Sequence, residues 1–372
     1  MEDGNKFDPI TRALHIREDD EGAHPAVTPV YQTSAFEADS PYFYTRKNNP
    51  NVAELEKVLL TLENAKHAVA VTCGMSAIFM TLELLRTGDT FVVNPYIYGC
   101  SFKLLQRISE RRGFNLVALD FSEESNIEKI PSDTKMIFFE TPTNPFLKTV
   151  DIEKVSKHVK GNNPEALVVV DNTWATPLFQ HPLELGADVS LHSGTKYFSG
   201  HSDVMNGVLM TDRQDLADEF RETRFYGGLL LSPENAWLTR RSLQTLDIRL
   251  KQQQSVCAEM RDFLNQQPQV EKVYYPKIDG KQLNGYAGIL FFELKNPGGY
   301  PKFMQALKIF NTGTGMACVT SMIAQPWSGS HASMTDEEKR QINIGENLVR
   351  LSFGLKNIED LKNDLLNAFK IL

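Results

Sequence analysis

The sequence predicts an α/β fold in which helices cover a mainly parallel sheet, followed by a smaller α+β unit. Three observations carry this. Short apolar runs at Thr90–Val93, Asn115–Leu119, Lys135–Phe139, Leu167–Val170 and Asp188–Leu191 alternate with stretches of helical periodicity. Uninterrupted runs such as Leu167-Val168-Val169-Val170 suit strands buried on both faces, the usual state of a parallel sheet. The chain has 372 residues, which at about 150 per domain predicts two or three domains.

Residues 1–50 carry little periodicity and several breakers (Pro9, Pro25, Pro29, Pro41), and read as an extended arm. From residue 51 the pattern changes. Val52, Leu55, Val58, Leu59 and Leu62 recur at helical spacing, and a second helix follows Gly74 with Ile78, Leu82 and Leu85. The alternating runs then continue to a long helical stretch from about Pro233 to Gln266. Beyond it, strand-like runs (Gly288–Phe292, Leu348–Ser352) mix with helices near Lys302–Lys308 and Glu359–Phe369. The expected division is an arm at 1–50, a first domain at 51–235 and a C-terminal domain at 236–372. The sequence holds no internal repeat or low-complexity segment.

Composition excludes several classes. Hydrophobic residues make up 41% and charged residues 23%, enough for a sizeable core, and the formal net charge is −8. A net-acidic chain with no Lys/Arg run longer than two lacks the electrostatic footprint of a nucleic-acid binder. Without an 18-residue apolar stretch or an apolar N-terminal segment, neither a membrane span nor a secretory signal is expected. Cys73, Cys100, Cys257 and Cys318 are scattered without CxxC spacing, so they read as free thiols of a cytoplasmic protein, with no metal site.

The most informative segment runs from His192-Ser193-Gly194-Thr195-Lys196-Tyr197 to Gly200-His201, just after a predicted buried strand. A lysine flanked there by hydroxyls at minus three and minus one suits a Schiff base with a cofactor aldehyde, the hydroxyls binding that cofactor's phosphate. Taken alone, Lys196 reads equally well as a solvated loop lysine. Asp171 closes the run Leu167–Val170, and 25 residues separate it from Lys196. Ligands of doubly wound sheets sit at the carboxyl ends of strands, where a carboxylate can keep a pyridine nitrogen protonated. Its bland alternative is a helix N-cap. Thr72-Cys73-Gly74-Met75-Ser76 then places a glycine at a helix start, where backbone N–H groups and the helix dipole favour a phosphate.

In combination these segments resemble the cysteine/methionine-metabolism (transsulfuration) pyridoxal-phosphate enzymes over nearly the whole chain. The resemblance implies fold type I, pyridoxal 5'-phosphate as cofactor and an amino acid as substrate. Ser193 to His201 is similar to the family's Ser-x-Thr-Lys-Tyr-x-x-Gly-His, which makes Lys196 the implied Schiff-base lysine and Ser193 and Thr195 phosphate ligands. Cys73-Gly74-Met75 resembles the phosphate turn, and Val170-Asp171-Asn172-Thr173 the pyridine-nitrogen strand end. Tyr44-Thr45-Arg46 resembles the stretch whose Tyr and Arg reach the phosphate of a neighbouring subunit. Tyr98-Gly99-Cys100-Ser101 is similar to the segment whose tyrosine stacks on the ring and assists proton transfer. Glu140-Thr141-Pro142-Thr143-Asn144-Pro145 resembles the one whose asparagine contacts the ring oxygen. Leu348-Val349-Arg350-Leu351-Ser352 resembles the strand whose arginine grips the substrate carboxylate, a task suited to a planar guanidinium fork. The family also implies a homo-oligomer, a dimer of catalytic dimers.

Departures from the family concentrate at the substrate. Its Ser-Leu-Gly-Gly segment is replaced within Asn311–Ser321, with Gly315 in place of the serine and Thr314 at the preceding position. Where cystathionine γ-lyases resemble one another in an acidic residue facing a distal ammonium, Thr314 offers no charge. Cys100 resembles the Tyr-Gly-Cys of methionine γ-lyases. The chain is also slightly short before Tyr44 and between Tyr275 and Gly288, loops that border the entrance in relatives. The expected activity is γ-elimination, with Lys196 removing the α-proton and Tyr98 as the acid, yielding a 2-oxo acid and ammonia. γ-Replacement is the alternative, and a cofactor-binding regulator with a decayed Thr312–Thr320 segment is the third reading.

Overall fold

A computed structural model describes residues 7–16 and 24–372. The arm is not wholly extended: Asp8 caps helix α1 (Pro9–His15), accepting from the Ile10 amide, and Pro9 sits in the first turn where its missing N–H costs nothing. Helix α2 (Pro50–Glu63) starts the same way, with the Asn49 side chain accepting from the Asn51 amide and Pro50 in the first turn. Its buried Leu55, Val58, Leu59 and Leu62 face the core at the predicted spacing.

The first sheet has the strand order β1-β7-β6-β5-β4-β2-β3. Its strands are β1 (His67–Val71), β2 (Thr90–Val93), β3 (Asn115–Ala118), β4 (Thr134–Glu140), β5 (Leu167–Asp171), β6 (Val189–His192) and β7 (Gly207–Thr211), accompanied by the helices α3 (Gly74–Leu82), α4 (Gly99–Arg112), α5 (Ile152–Asn162) and α6 (Gln214–Gly227). From β6 to β3 neighbouring strands pair in parallel, whereas β7 runs antiparallel to both β6 and β1. The apolar runs have no polar gaps because each face has its own core. Val168 and Val170 pack with Ile137, Phe139 and the α5 (Ile152–Asn162) residues Val155 and Val159. Val169 turns to the other side, with Phe138, Val189 and Leu191. Parallel pairing brings the carboxyl ends of β4, β5 and β6 to one edge, and the helix α3 (Gly74–Leu82) begins there.

The helical stretch after Pro233 is two helices, α7 (Pro233–Leu243) and α8 (Leu246–Asn265). The break follows from the Ser242 carbonyl, which accepts from the Thr245 amide and hydroxyl and from Arg249 Nη2 at 2.9 Å. That arginine spends its Nη1 on the Tyr197 carbonyl at 2.9 Å, so the break anchors the Lys196 loop. Ala236 and Leu243 of α7 and Leu246 and Leu250 of α8 lie in the first core, whereas Val256, Cys257, Met260 and Leu264 lie in a second. The two cores therefore change over inside α8.

The second sheet runs β10-β11-β12-β9-β8, from β8 (Val270–Tyr274), β9 (Ile289–Leu294), β10 (Asn311–Thr312), β11 (Met322–Ala324) and β12 (Leu348–Ser352). Val349 and Leu351 join the second core with Leu361 and Leu365 of the last helix. Strand alternation then turns Arg350 the other way, beside its partner Phe291, toward the first body. Among the described residues no helix is long and apolar enough to cross a membrane.

Candidate active site

Between the two bodies lies a cavity of about 230 Å³. The strand ends of the first sheet furnish one wall with Glu140, Asp171, Ser193 and Lys196, and α3 adds Gly74, Met75 and Ile78. Tyr98 and Asn144 come from loops at the same edge, Ser101 from the first turn of α4, and Thr314, Met316, Ser330 and Arg350 from the C-terminal part.

The two carboxylates and the arginine are held by hydrogen bonds. Asp171 Oδ1 accepts from the Thr173 amide at 3.0 Å and hydroxyl at 2.5 Å. Burial raises its pKa, while the Thr173 bonds and the nearby His192 pull the other way. Glu140 accepts from the Tyr98 amide at 2.6 Å and from Trp174 Nε1 at 3.0 Å. Burial, then the charge of Asp171, pushes its carboxyl well above the usual range. Lys196 is held below the ordinary lysine pKa, first by burial and then by the positive charge of Arg350. Burial also brings Arg350 down to about 10. Its Nη2 donates to the carbonyls of Thr314 and Gly315, both at 2.9 Å, while its buried Nε has no partner. The Tyr98 phenol is pushed up to about 12 by burial and by its bond with Cys100. It therefore carries its proton at neutral pH.

At the α3 end the helix has no side-chain cap. A Cβ on Gly74 would lie 2.8 Å from Ser193 Cβ, so only glycine lets the helix start meet the Ser193–Thr195 turn. The result is a cradle of helix-start amides and the Ser193 hydroxyl suited to an anion, with the Thr195 hydroxyl beside it held by the Asn206 backbone. Across the cavity the buried Asn144 carboxamide has an Oδ1 with no partner inside the protein.

The family model of the Cys/Met metabolism PLP-dependent enzymes matches residues 10–370. The chain belongs to that family. An L-methionine gamma-lyase of Pseudomonas deceptionensis is 39% identical, with 100% of each chain covered. One of Fusobacterium nucleatum is 38% identical over 91% of each. A crystal structure of cystathionine gamma synthase from Xanthomonas oryzae pv. oryzae in complex with cystathionine superposes with a TM-score of 0.94, at 32% identity and 98% coverage of both chains.

As a member of this family of carbon–sulfur lyases and synthases, the chain is a fold type I enzyme with pyridoxal 5'-phosphate as its cofactor. The residues present fit that group: the α3 cradle matches a phosphate, Asp171 a ring nitrogen, and the unpartnered Asn144 carboxamide a polar ring substituent. Of the residues singled out in the sequence, Gly74, Met75, Tyr98, Asn144, Asp171, Thr173, Ser193, Thr195, Lys196, Thr314 and Arg350 line this one cavity, and Gly315 contributes its carbonyl to Arg350. Tyr44 and Arg46 do not join them; they line a separate depression with Thr33, Ser34 and Pro233. The sequence pattern assigns no role to Glu140, Trp174, Met205, Met316 or Ser330, which also line the cavity. Glu140 was within reach, because it ends an apolar run just as Asp171 does. The others carry no local signal.

Proposed function

We propose that this enzyme is a γ-lyase for small thioether amino acids, cleaving the Cγ–S bond with consumption of one water to give a 2-oxo acid, ammonia and a thiol. The observation that carries this is the charge inventory of the cavity. Its two carboxylates, Glu140 and Asp171, are already engaged, and the uncharged lining includes Met205, Thr314 and Met316. Among the described residues lining the cavity no further acidic group stands ready for a second ammonium, so an apolar substituent fits better than the second amino-acid head of cystathionine. Curated relatives named L-methionine gamma-lyase support the same reading.

Bound pyridoxal phosphate supplies the aldehyde that takes the substrate amine and a ring that draws off the electron pair left at Cα. The chain's own residues do the rest. Arg350 holds the α-carboxylate by its guanidinium fork, exchanging its bonds to Thr314 and Gly315 for the stronger charged pair. The Lys196 amine, with its lowered pKa, removes the α-proton. Tyr98 keeps its phenolic proton and donates it to the departing sulfur. Asp171 holds a proton on the ring nitrogen.

Arg350→Lys should raise KM for the amino acid about ten- to hundredfold with a smaller fall in kcat, since a point charge cannot match the fork. Steady-state 2-oxo acid release measures it; an unchanged KM would remove Arg350 from the carboxylate. The γ-replacement alternative rests on the likeness to a cystathionine gamma synthase. A panel decides: methionine alone should release 2-oxobutyrate, whereas thioether formed from an activated homoserine ester and a thiol, without 2-oxo acid, would overturn the lyase.

In the division we propose, residues 51–235 hold the cofactor, 236–372 supply the carboxylate arginine, and 1–50 serve a neighbouring subunit of a homo-oligomer, a dimer of catalytic dimers, in the cytoplasm. The placement of Tyr44 and Arg46 outside their own chain's cavity supports that use of the arm. There Arg46 lies over the Phe225 ring, 4.4 Å from its centre.

A further inference from the structure

Ile97 and Tyr98 share one peptide unit, and side chains from two distant parts of the chain hold both of its ends. The Tyr98 amide donates to Glu140 Oε1 at 2.6 Å. The Ile97 carbonyl faces His331 Nε2 at 3.2 Å. His331 Nδ1 lies 3.0 Å from the hydroxyl of Ser330, a residue of the cavity wall. Since a carbonyl can only accept, Nε2 must carry the ring proton, and Nδ1 is left to accept from Ser330. The ring is fully buried, and that burial brings its pKa down to about 4, so it stays neutral and keeps this tautomer at neutral pH.

The backbone repeats the contact. The Gly99 amide donates to the Ser330 carbonyl at 3.3 Å. A Cβ on Gly99 would stand 2.8 Å from that oxygen and 2.9 Å from His331 Cα, so only glycine admits the approach. Ser330 and His331 sit in a turn closed by the His331 amide on the Pro326 carbonyl, between β11 and the helix α10 (Asp336–Gln341). The first body thus holds one end of the peptide through Glu140, and the C-terminal part holds the other.

We propose that His331 is a positioning residue for Tyr98. Gripping the Ile97 carbonyl opposite Glu140, it fixes the peptide plane from which Tyr98 projects, and so the place of the phenol in the cavity. It also ties that place to the part of the chain that carries Arg350. The inference rests on the proton-donating role proposed for Tyr98. A loosened peptide swings the Cα–Cβ bond, and about 1 Å of misplacement at a reacting group costs on the order of a hundredfold in rate.

The test is a double-mutant cycle on the holoenzyme, with amide hydrogen exchange of the segment containing residues 97 and 98. His331→Leu fills the space without a donor, and His331→Gln returns one. His331→Leu should lower kcat about ten- to hundredfold with KM for methionine within about twofold. His331→Gln should recover most of the loss. In a Tyr98→Phe background, His331→Leu should cost less than about twofold further, because its effect passes through the phenol. Exchange of the segment should be about tenfold faster in His331→Leu. The same loss in both backgrounds, or unchanged exchange, would overturn the proposal. Full turnover by Tyr98→Phe alone would instead remove the acid role of Tyr98, and the exchange rates would then judge the clamp by themselves.

Discussion

Lys196→Ala should lose turnover by about three orders of magnitude or more, because the proposed mechanism asks one side chain both to hold the cofactor aldehyde and to move the α-proton. The environment of Lys196 argues for both tasks. Burial and the neighbouring Arg350 charge favour the neutral amine, which is the form that attacks a carbonyl or takes a proton. The purified variant should lack the visible band of the lysine-bound cofactor, while its far-ultraviolet circular dichroism stays that of the parent. 2-Oxo acid release measures turnover. Retention of the band, or activity within tenfold of the parent, would move the role to another residue.

Asp171→Asn carries the second largest effect, an expected loss in kcat of about 10²- to 10³-fold. Asparagine keeps the shape and can still accept from the Thr173 amide and hydroxyl, so the local hydrogen bonds survive. What disappears is the negative charge that, in the proposed mechanism, would keep the ring nitrogen protonated. Burial works against that charge in the protein alone, so its maintenance depends on the two Thr173 bonds and on His192 nearby. Cofactor affinity should fall far less than kcat, since the α3 cradle is untouched. A variant with full turnover would show that ring protonation does not limit the reaction. A variant that lost the cofactor altogether would make Asp171 a binding group.

Much of this site was legible because its residues sit where strand periodicity ends. Asp171 and Lys196 follow apolar runs, and those runs are uninterrupted because Val168 and Val169 face different cores. Arg350 could be read the same way, as the polar position between Val349 and Leu351. Other features were not legible, because their causes lie far along the chain. The break between α7 and α8 depends on Arg249 reaching the Ser242 carbonyl, and a periodicity count sees only one long helix. The antiparallel pair β1 and β7 closes the sheet at an edge that the run of parallel strands did not foretell. His331 reaches Ile97 across 234 residues, a contact that no local pattern announces.

The changeover of cores within α8 bears on how the molecule comes apart. Leu250 and Val256, less than two turns distant, answer to different cores on a single hydrogen-bonded rod. Melting either half of that rod strips side chains from one core and frays the ladder that supports the other. Loss of one core therefore weakens its companion through the helix that they share.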